Sequence, residues 1–490
     1  MMVQLAPLVI AGLWLTFAFA SMGSGDFAAA RRRSTLVCAA SLVAVAAVWL
    51  FSASSTGGEI VTLGGWQFAL SDPGFAGTAP ALIAGIGIVA LAMADSISHS
   101  ISTLRRMLVL LAVAMAFVSV REPVLLAILW GLSPWIVWRE LRERFGGRGV
   151  ARLFAVYHVA SLACFMASIV IGSLGYTLAG LLIMMPAIGL RESMFPGHSW
   201  FPRFVEKAPL GLVVAFSAPQ LGLFAHLAIL SNSLPPDVAR FVPLVGAVTA
   251  VVAGALGVVQ TSARRALAYF MMSQTALVSL SLDGRSEVGL AGSLLDWQVL
   301  ALATTGFGMT ISALEARRGE LSLAAHSGYF SRTPRMAAGF MLMGLASVGF
   351  PMTLGFVAED LLAQGAIESN PAWAFALIAA TALNGMTVMR AFFRLFSGRR
   401  IHTGETDLTG RESYALSLVL LALLIGGIAP SWLVSQEFGH PTSHGVSHAA
   451  FDTAPHAASY VTSCPKTHRR SSPTICRPSM TAWSPPTRCA

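Results

Sequence analysis

Two adjacent carboxylates, Glu359 and Asp360, stand in the apolar stretch 336–366, eight residues beyond Pro351 in GFPMTLGFVAED. A charge at membrane depth costs about 2.5–3.5 kcal/mol even on insertion scales, so such a group faces a bundle interior or water and marks a path for protons or cations. Neighbours at i, i+1 cannot share a helix face. The solvated reading, a carboxylate at the membrane edge, therefore fits Asp360 better than Glu359. A second constellation lies earlier. The apolar run 175–191 carries Pro186 and leads into Arg191, Glu192 and the segment FPGHSWFPRFVEKAP.

These groups need helices to hold them. The stretch around Glu359 is about 30 residues long and, at ~1.5 Å per residue, would reach roughly 45 Å as one helix, against a hydrocarbon core of about 30 Å. Gly349, Phe350 and Pro351 supply the break, since proline lacks a backbone donor and clashes with the preceding turn. Apolar runs long enough to span fall at 5–22, 35–52, 79–97, 104–120, 122–138, 152–174, 175–191, 208–231, 241–258, 265–282, 288–314, 336–366, 371–396 and 413–436. The pattern predicts an all-α polytopic membrane protein of about fourteen transmembrane helices. Paired proline-interrupted helices in two halves point to inverted repeats. The expected organisation is helices 1–3 in 1–100, a first five-helix repeat in 101–232, a second in 233–398, and a last helix in 399–437. Each repeat carries one broken helix, the first being the run with Pro186. A His- and Ser/Pro-rich tail, 438–490, is expected to be disordered.

Of 490 residues, 55% are hydrophobic and 11% charged, against roughly 25% charged in soluble domains. The net charge of +9 is spread as short clusters between apolar runs, which marks cytoplasmic loops and argues against nucleic acid. If the triplet Arg31 to Arg33 lies inside, parity also places Arg105 and Arg106, 139–152, Arg203 with Lys207, Arg264 with Arg265, Arg317 with Arg318, and Arg399 with Arg400 inside, and both termini outside. The first run lacks a basic stretch before it and reads as a retained helix. Cysteines show no metal or disulfide spacing. Between runs two and three, GGEIVTLGGWQFAL reads equally as a small hairpin or an irregular loop. The chain has no nucleotide, flavin or quinone motif, so no cofactor is expected.

Three segments carry a family resemblance. FPGHSWFPRFVEKAP resembles the PFHxWLPDAHxxAP signature of the antiporter-like subunits of respiratory complex I and of Mrp sodium/proton antiporters. QTSARRALAYFMMSQTA resembles their Q-T-D-x-K-R segment, and GFPMTLGFVAED resembles their segment around the second broken helix. The three keep the family's order, and the similarity runs over about residues 100–435. The resemblance implies fourteen helices, inverted repeats and a buried chain of titrating groups that moves protons. Residue by residue, it implies that Glu359 falls on the broken-helix glutamate or lysine and His198 on the loop histidine. Arg191 stands where the family has a lysine, with Glu192 beside it.

The charge axis is depleted elsewhere. The family's W-E pair reads Trp130-Gly131, its helix-ten aspartate, lysine and histidine read Ser262, Arg264 and Gln274, and helix eight offers only Gln220 and His226. Asp296 is alone on its helix, where an early position predicts a place near the outer interface. The candidate ion-path residues are therefore Glu359, Arg191, His198 and Glu192, with Asp296, Arg264 and Lys207 as weaker candidates. The expected function is a proton- or cation-translocating membrane subunit of a complex I-like assembly in a bacterial inner membrane, with other membrane subunits and lipid as partners. The alternatives are a non-translocating assembly paralogue or the membrane subunit of a two-part inorganic-carbon uptake system.

Overall fold

The computed structural model describes residues 2–430, except 21–24, 52–59, 64–65, 70–72, 145, 231–232, 283–285 and 399–405. The expected tail and its histidines lie outside these residues. The chain is nearly all helical. α1 (Met2–Ala20), α2 (Phe27–Phe51), a hairpin of β1 (Ile60–Leu63) and β2 (Trp66–Ala69), α3 (Pro73–Met93), α4 (Ile101–Ser119), α5 (Pro123–Glu143) and α6 (Arg148–Ser173) come first. They are followed by α7 (Thr177–Arg191), α8 (Trp200–Lys207), α9 (Leu210–Ser217), α10 (Leu221–Ala225) with a π-helical turn at His226–Leu230, and the short α11 (Pro236–Ala239). The remainder is α12 (Phe241–Val259), α13 (Ala263–Val278), α14 (Glu287–Arg318), α15 (Pro334–Ala346), α16 (Leu354–Ser369), α17 (Pro371–Phe396) and α18 (Gly410–Ile428). Among the described residues, eight helical segments are long and apolar enough to cross a membrane, Leu210–Leu230 counting as one. In lipid every backbone group must be satisfied internally, which is why such sequence folds as helices.

The segment before α3 is the hairpin of the two open readings, antiparallel with Ile60 opposite Ala69 and Leu63 opposite Trp66. Helix starts are set by local chemistry. Ser100 and Thr103 form a reciprocal cap on α4, and proline opens α5, α15 and α17, where its missing donor is harmless. α14 and α16 pack backbone to backbone because glycines face each other: a Cβ on Gly292 would stand 2.6 Å from the Leu362 nitrogen, and Gly365 abuts Gly289. Small residues at such crossings are how helices associate in lipid, where no hydrophobic drive separates helix from solvent.

The helix around Glu359 is interrupted where Gly349 and Pro351 stand, between the end of α15 and the start of α16. The first half differs from expectation. Pro186 sits inside a continuous α7, since one lost backbone bond bends a membrane helix without ending it when neighbours re-satisfy the freed carbonyl. The chain instead leaves the helix at Glu192, crosses Ser193 to Ser199 and resumes as α8. A further interruption at Ala218–Pro219–Gln220 separates α9 from α10. The three non-glycine residues with positive φ among the described residues are Ser193 (55°), Gln220 (43°) and Met352 (72°). Each lies at one of the three interruptions, and strained backbone of this kind persists only where surrounding structure holds it.

Candidate functional site

Arg191, the last residue of α7, points into the bundle and is buried. Its guanidinium donates to the Trp130 carbonyl at 3.1 Å and to Ser133 Oγ at 2.8 Å. It also lies over the Trp130 ring at 4.5 Å and the Phe216 ring at 5.0 Å. This is the place beside Trp130-Gly131 where the family pattern would supply a glutamate, and the cation is held by a carbonyl, a hydroxyl and two rings instead. Glu192 turns the other way. Its Oε1 accepts the Gly222 N–H at 2.7 Å, so the carboxylate caps the backbone just past the Ala218–Pro219–Gln220 interruption, a favourable place for negative charge. Gln220, in the left-handed conformation at that interruption, donates to Thr275 Oγ1 at 3.2 Å.

His198 lies in the segment between α7 and α8, stacked on Phe195 at 5.5 Å, and its Nδ1 has no hydrogen-bond partner. Lys207, at the end of α8, is exposed and lines a polar cavity of about 580 Å³ with Ser98, Glu206, Ser262, Arg264 and Glu315. Arg264 forms an ion pair with Glu315 at 2.7 Å and donates to the carbonyls of Val205, Glu206 and Ala208. It is a structural tie between α13, α14 and the α8 segment.

Glu359 sits partly buried on the first turns of α16, its carboxylate against Gly349 of the interruption. Thr381 Oγ1 donates to it at 3.4 Å. Asp360 faces outward and accepts from Gln364 at 2.9 Å. Asp296 is 4% exposed, inside α14 and within electrostatic reach of Glu359. α14 begins at Glu287 and packs on α16 through glycines, which carries its ninth and tenth residues into the bundle. Among the described residues neither Asp296 nor Glu359 forms an ion pair.

The seven candidates thus form three separate groups and one loner: Arg191 with Glu192, Asp296 with Glu359, Arg264 with Lys207, and His198. Several polar residues were overlooked. His158 on α6 is buried, donates through Nδ1 to the Phe154 carbonyl at 2.9 Å, packs edge-on to Trp200 at 4.5 Å, and has no partner for Nε2. A histidine inside the run 152–174 was the available signal. Gln274 donates to the Ser347 carbonyl, next to the interruption, and accepts from Asn384 Nδ2 at 3.1 Å. Asp95, between α3 and α4, accepts from Ser98 N at 2.7 Å and Ser312 Oγ at 3.2 Å. Burial pushes its carboxyl up, but the His99 ring and the Ser98 amide and hydroxyl outweigh this and hold it well below the usual carboxylate range. His99 Nε2 accepts the Gly211 N–H at 3.2 Å, which leaves the proton on Nδ1, facing Asp95 at 3.4 Å. Glu140 is fully engaged by Thr103, Arg106 and Arg144.

The arrangement is a bundle of apolar helices with Glu192 and Glu359 beside interruptions, and it can be compared with known proteins. The family described as NADH:quinone oxidoreductase/Mrp antiporter, TM, matches residues 150–384. NADH-quinone oxidoreductase subunit M of Mycobacterium tuberculosis is 28% identical over 259 residues, 50% of this chain and 46% of that protein. The match spans about half the length of the curated relatives. A chain of respiratory complex I from Thermus thermophilus with bound NADH superposes with a TM-score of 0.75 at 20% identity, covering 90% of this chain and 97% of that one. A chain of the Mrp complex from a Dietzia species superposes with a TM-score of 0.79 at 15% identity, covering 89% and 96%. Residues 150–384 thus resemble the antiporter-like subunits of complex I and Mrp complexes in sequence, and most of the chain resembles them in fold.

Proposed function

We propose that this chain is a proton- or cation-translocating membrane subunit of a multi-subunit complex resembling complex I. In this reading it spans a bacterial inner membrane about fourteen times with both termini outside, and its two inverted five-helix repeats lie within 101–232 and 233–398. The observation that carries the reading is the Asp296–Glu359 pair at the second helix interruption, two interior carboxylates without an ion-pair partner among the described residues. Carboxylates inside a bundle at membrane depth, with no cation beside them, are the groups expected to take up a proton or cation. The first repeat is a poor path, since Arg191 stays protonated at any accessible pH and cannot exchange a proton.

The test compares Glu359→Gln and Arg191→Met in the intact complex, for transport and for assembly. Glu359→Gln is expected to lower transport while assembly stays complete, and Arg191→Met to act on stability alone. If Arg191→Met abolishes transport in an assembled complex and Glu359→Gln is silent, the active half has been assigned the wrong way round. The non-translocating reading draws on one feature, the Gln274–Ser347–Asn384 amide chain, which holds the second interruption with groups that do not titrate. Full transport by the Glu359→Gln variant would favour it.

A further inference from the structure

Between α7, the segment after it, α10 with its π-turn, α12 and α13 lies a cavity of about 570 Å³, a volume ordinary for a ligand site. Apolar side chains such as Met185, Leu190, Leu223, Val242 and Val278 form most of its wall. Phe195, Phe241 and Val245, which also line it, are 43%, 47% and 37% exposed on the outer surface. The cavity therefore opens on the outer surface of the bundle beside α12, part of a segment apolar enough to cross a membrane.

Hydrogen-bond accounting decides what fits. The polar side chains in the wall each make one hydrogen bond to the protein's own groups: Tyr157 with Ser199 at 2.8 Å, Glu192 with Gly222 at 2.7 Å, Gln220 with Thr275 at 3.2 Å, His226 with the Leu282 carbonyl at 3.0 Å, and Ser279 with the Ala276 carbonyl at 2.7 Å. Most of the remaining wall is apolar, and an ordered water needs two to four polar partners. An apolar chain needs none, and the surroundings of the mouth in a bilayer are acyl chains. We infer that a bilayer lipid inserts one acyl tail into this cavity, its terminus toward Gln220. The tail closes that side of Glu192 to water. The inference rests on insertion in a bilayer and not on translocation, so it stands or falls separately from the proposed function.

The test uses the full chain in lipid nanodiscs containing phosphatidylglycerol with a diazirine near the tail terminus, photolysed and mapped by peptide mass spectrometry. Adducts are expected on Leu223 and Val278, only 4% and 2% exposed, as well as on surface residues such as Val159. Gly189 lines the cavity and a Cβ there has room, its nearest neighbour being the Met194 Cβ at 3.8 Å. Gly189→Leu should therefore remove the adducts on Leu223 and Val278 and leave those on Val159. Adducts confined to the surface residues of the unmodified protein overturn the proposal, and that arm stands whether or not the variant folds. A second measurement asks about water: in Leu223→Cys, a membrane-impermeant thiol reagent should leave Cys unmodified at that site, and rapid modification there means a water-filled cavity and refutes the lipid.

Discussion

Replacing Arg191 by Met tests whether the first half holds its cation as structure or as machinery. The guanidinium makes two hydrogen bonds, at 3.1 and 2.8 Å, and lies on two rings. Hydrogen bonds from a charged donor are worth about 1.5–3 kcal/mol each, and a desolvated cation–π contact adds about 2 kcal/mol. Against this stands the cost of burying a guanidinium away from water, still several kcal/mol after relaxation. Met fills a similar volume, and the groups left behind have each other, because Ser133 Oγ already lies 3.4 Å from the Trp130 carbonyl. The terms nearly cancel, and Arg191→Met should change stability by no more than about 2 kcal/mol. Arg191→Ala removes the same interactions and opens a cavity, so it should lose a further 2–5 kcal/mol, roughly the cost of a Met→Ala change. Thermal unfolding in a fixed lipid nanodisc reads both; at about 2–4 °C per kcal/mol, or less for a chain of this size, Met should stay within about 8 °C of the parent. If Met falls as far as Ala, the cation is net stabilising and the account of Arg191 as an unpaired, expensive charge is wrong.

Other changes probe other ties. Asp407 accepts the N–H groups of Arg335 and Met336 at 2.8 and 3.1 Å, capping α15 from a distant part of the chain, so Asp407→Ala should cost about 1 kcal/mol and speed amide exchange at those two residues; unchanged exchange refutes the cap. Gln274→Leu strands Asn384, whose Oδ1 already has no partner, and should destabilise by about 1–3 kcal/mol, more than Gln364→Leu on the exposed face, as read by thermal unfolding. Asp95 has its carboxyl held below the ordinary range, so its stabilisation is present above the unfolded value of about 3.9 and is lost only as pH falls through the lower folded value. The loss of stability in Asp95→Asn should therefore be constant from pH 5 to 8. A loss that grows across that window would place the titration on another group.

The elements were legible in the sequence because lipid leaves few choices: long apolar runs, proline and glycine punctuation and basic clusters all act locally. The break at Gly349–Pro351 was readable for that reason. The break in the first half was misplaced because proline alone was weighted, whereas an interruption needs residues that turn the backbone, and Ser193 and Gln220 with positive φ carry no strong composition signal. Glu359 could be singled out by depth. Asp296 could not be paired with it, since their proximity depends on glycine-on-glycine contact between α14 and α16. His158 and the Gln274–Asn384 pair were missed for a related reason: in one dimension a lone polar residue in an apolar run looks the same whether its partner is present or absent.

The substitutions along the depleted axis share a physical character. Each leaves a group that can hold a hydrogen bond where the family pattern would place one that can also release a proton: Gln220 on Thr275, Gln274 on Ser347 and Asn384, Arg191 on Trp130 and Ser133. Amides and arginine satisfy buried partners as well as histidine, glutamate or lysine do, so packing at the three interruptions survives the exchange. Proton exchange does not survive it, because an amide is neutral and an arginine permanently charged near neutral pH. Under the proposed function, fold and relay are separable: the interruptions are held by hydrogen bonds that need only donors and acceptors, while translocation would draw on carboxylates that can take up a proton. Asp296 and Glu359 would be such groups, on the packed α14 and α16 helices and without an ion-pair partner among the described residues. On the proposed function, the interruption at Gly349–Pro351 is therefore where a change of one charge should be felt as transport, and the one after Arg191 is where it should leave transport unchanged.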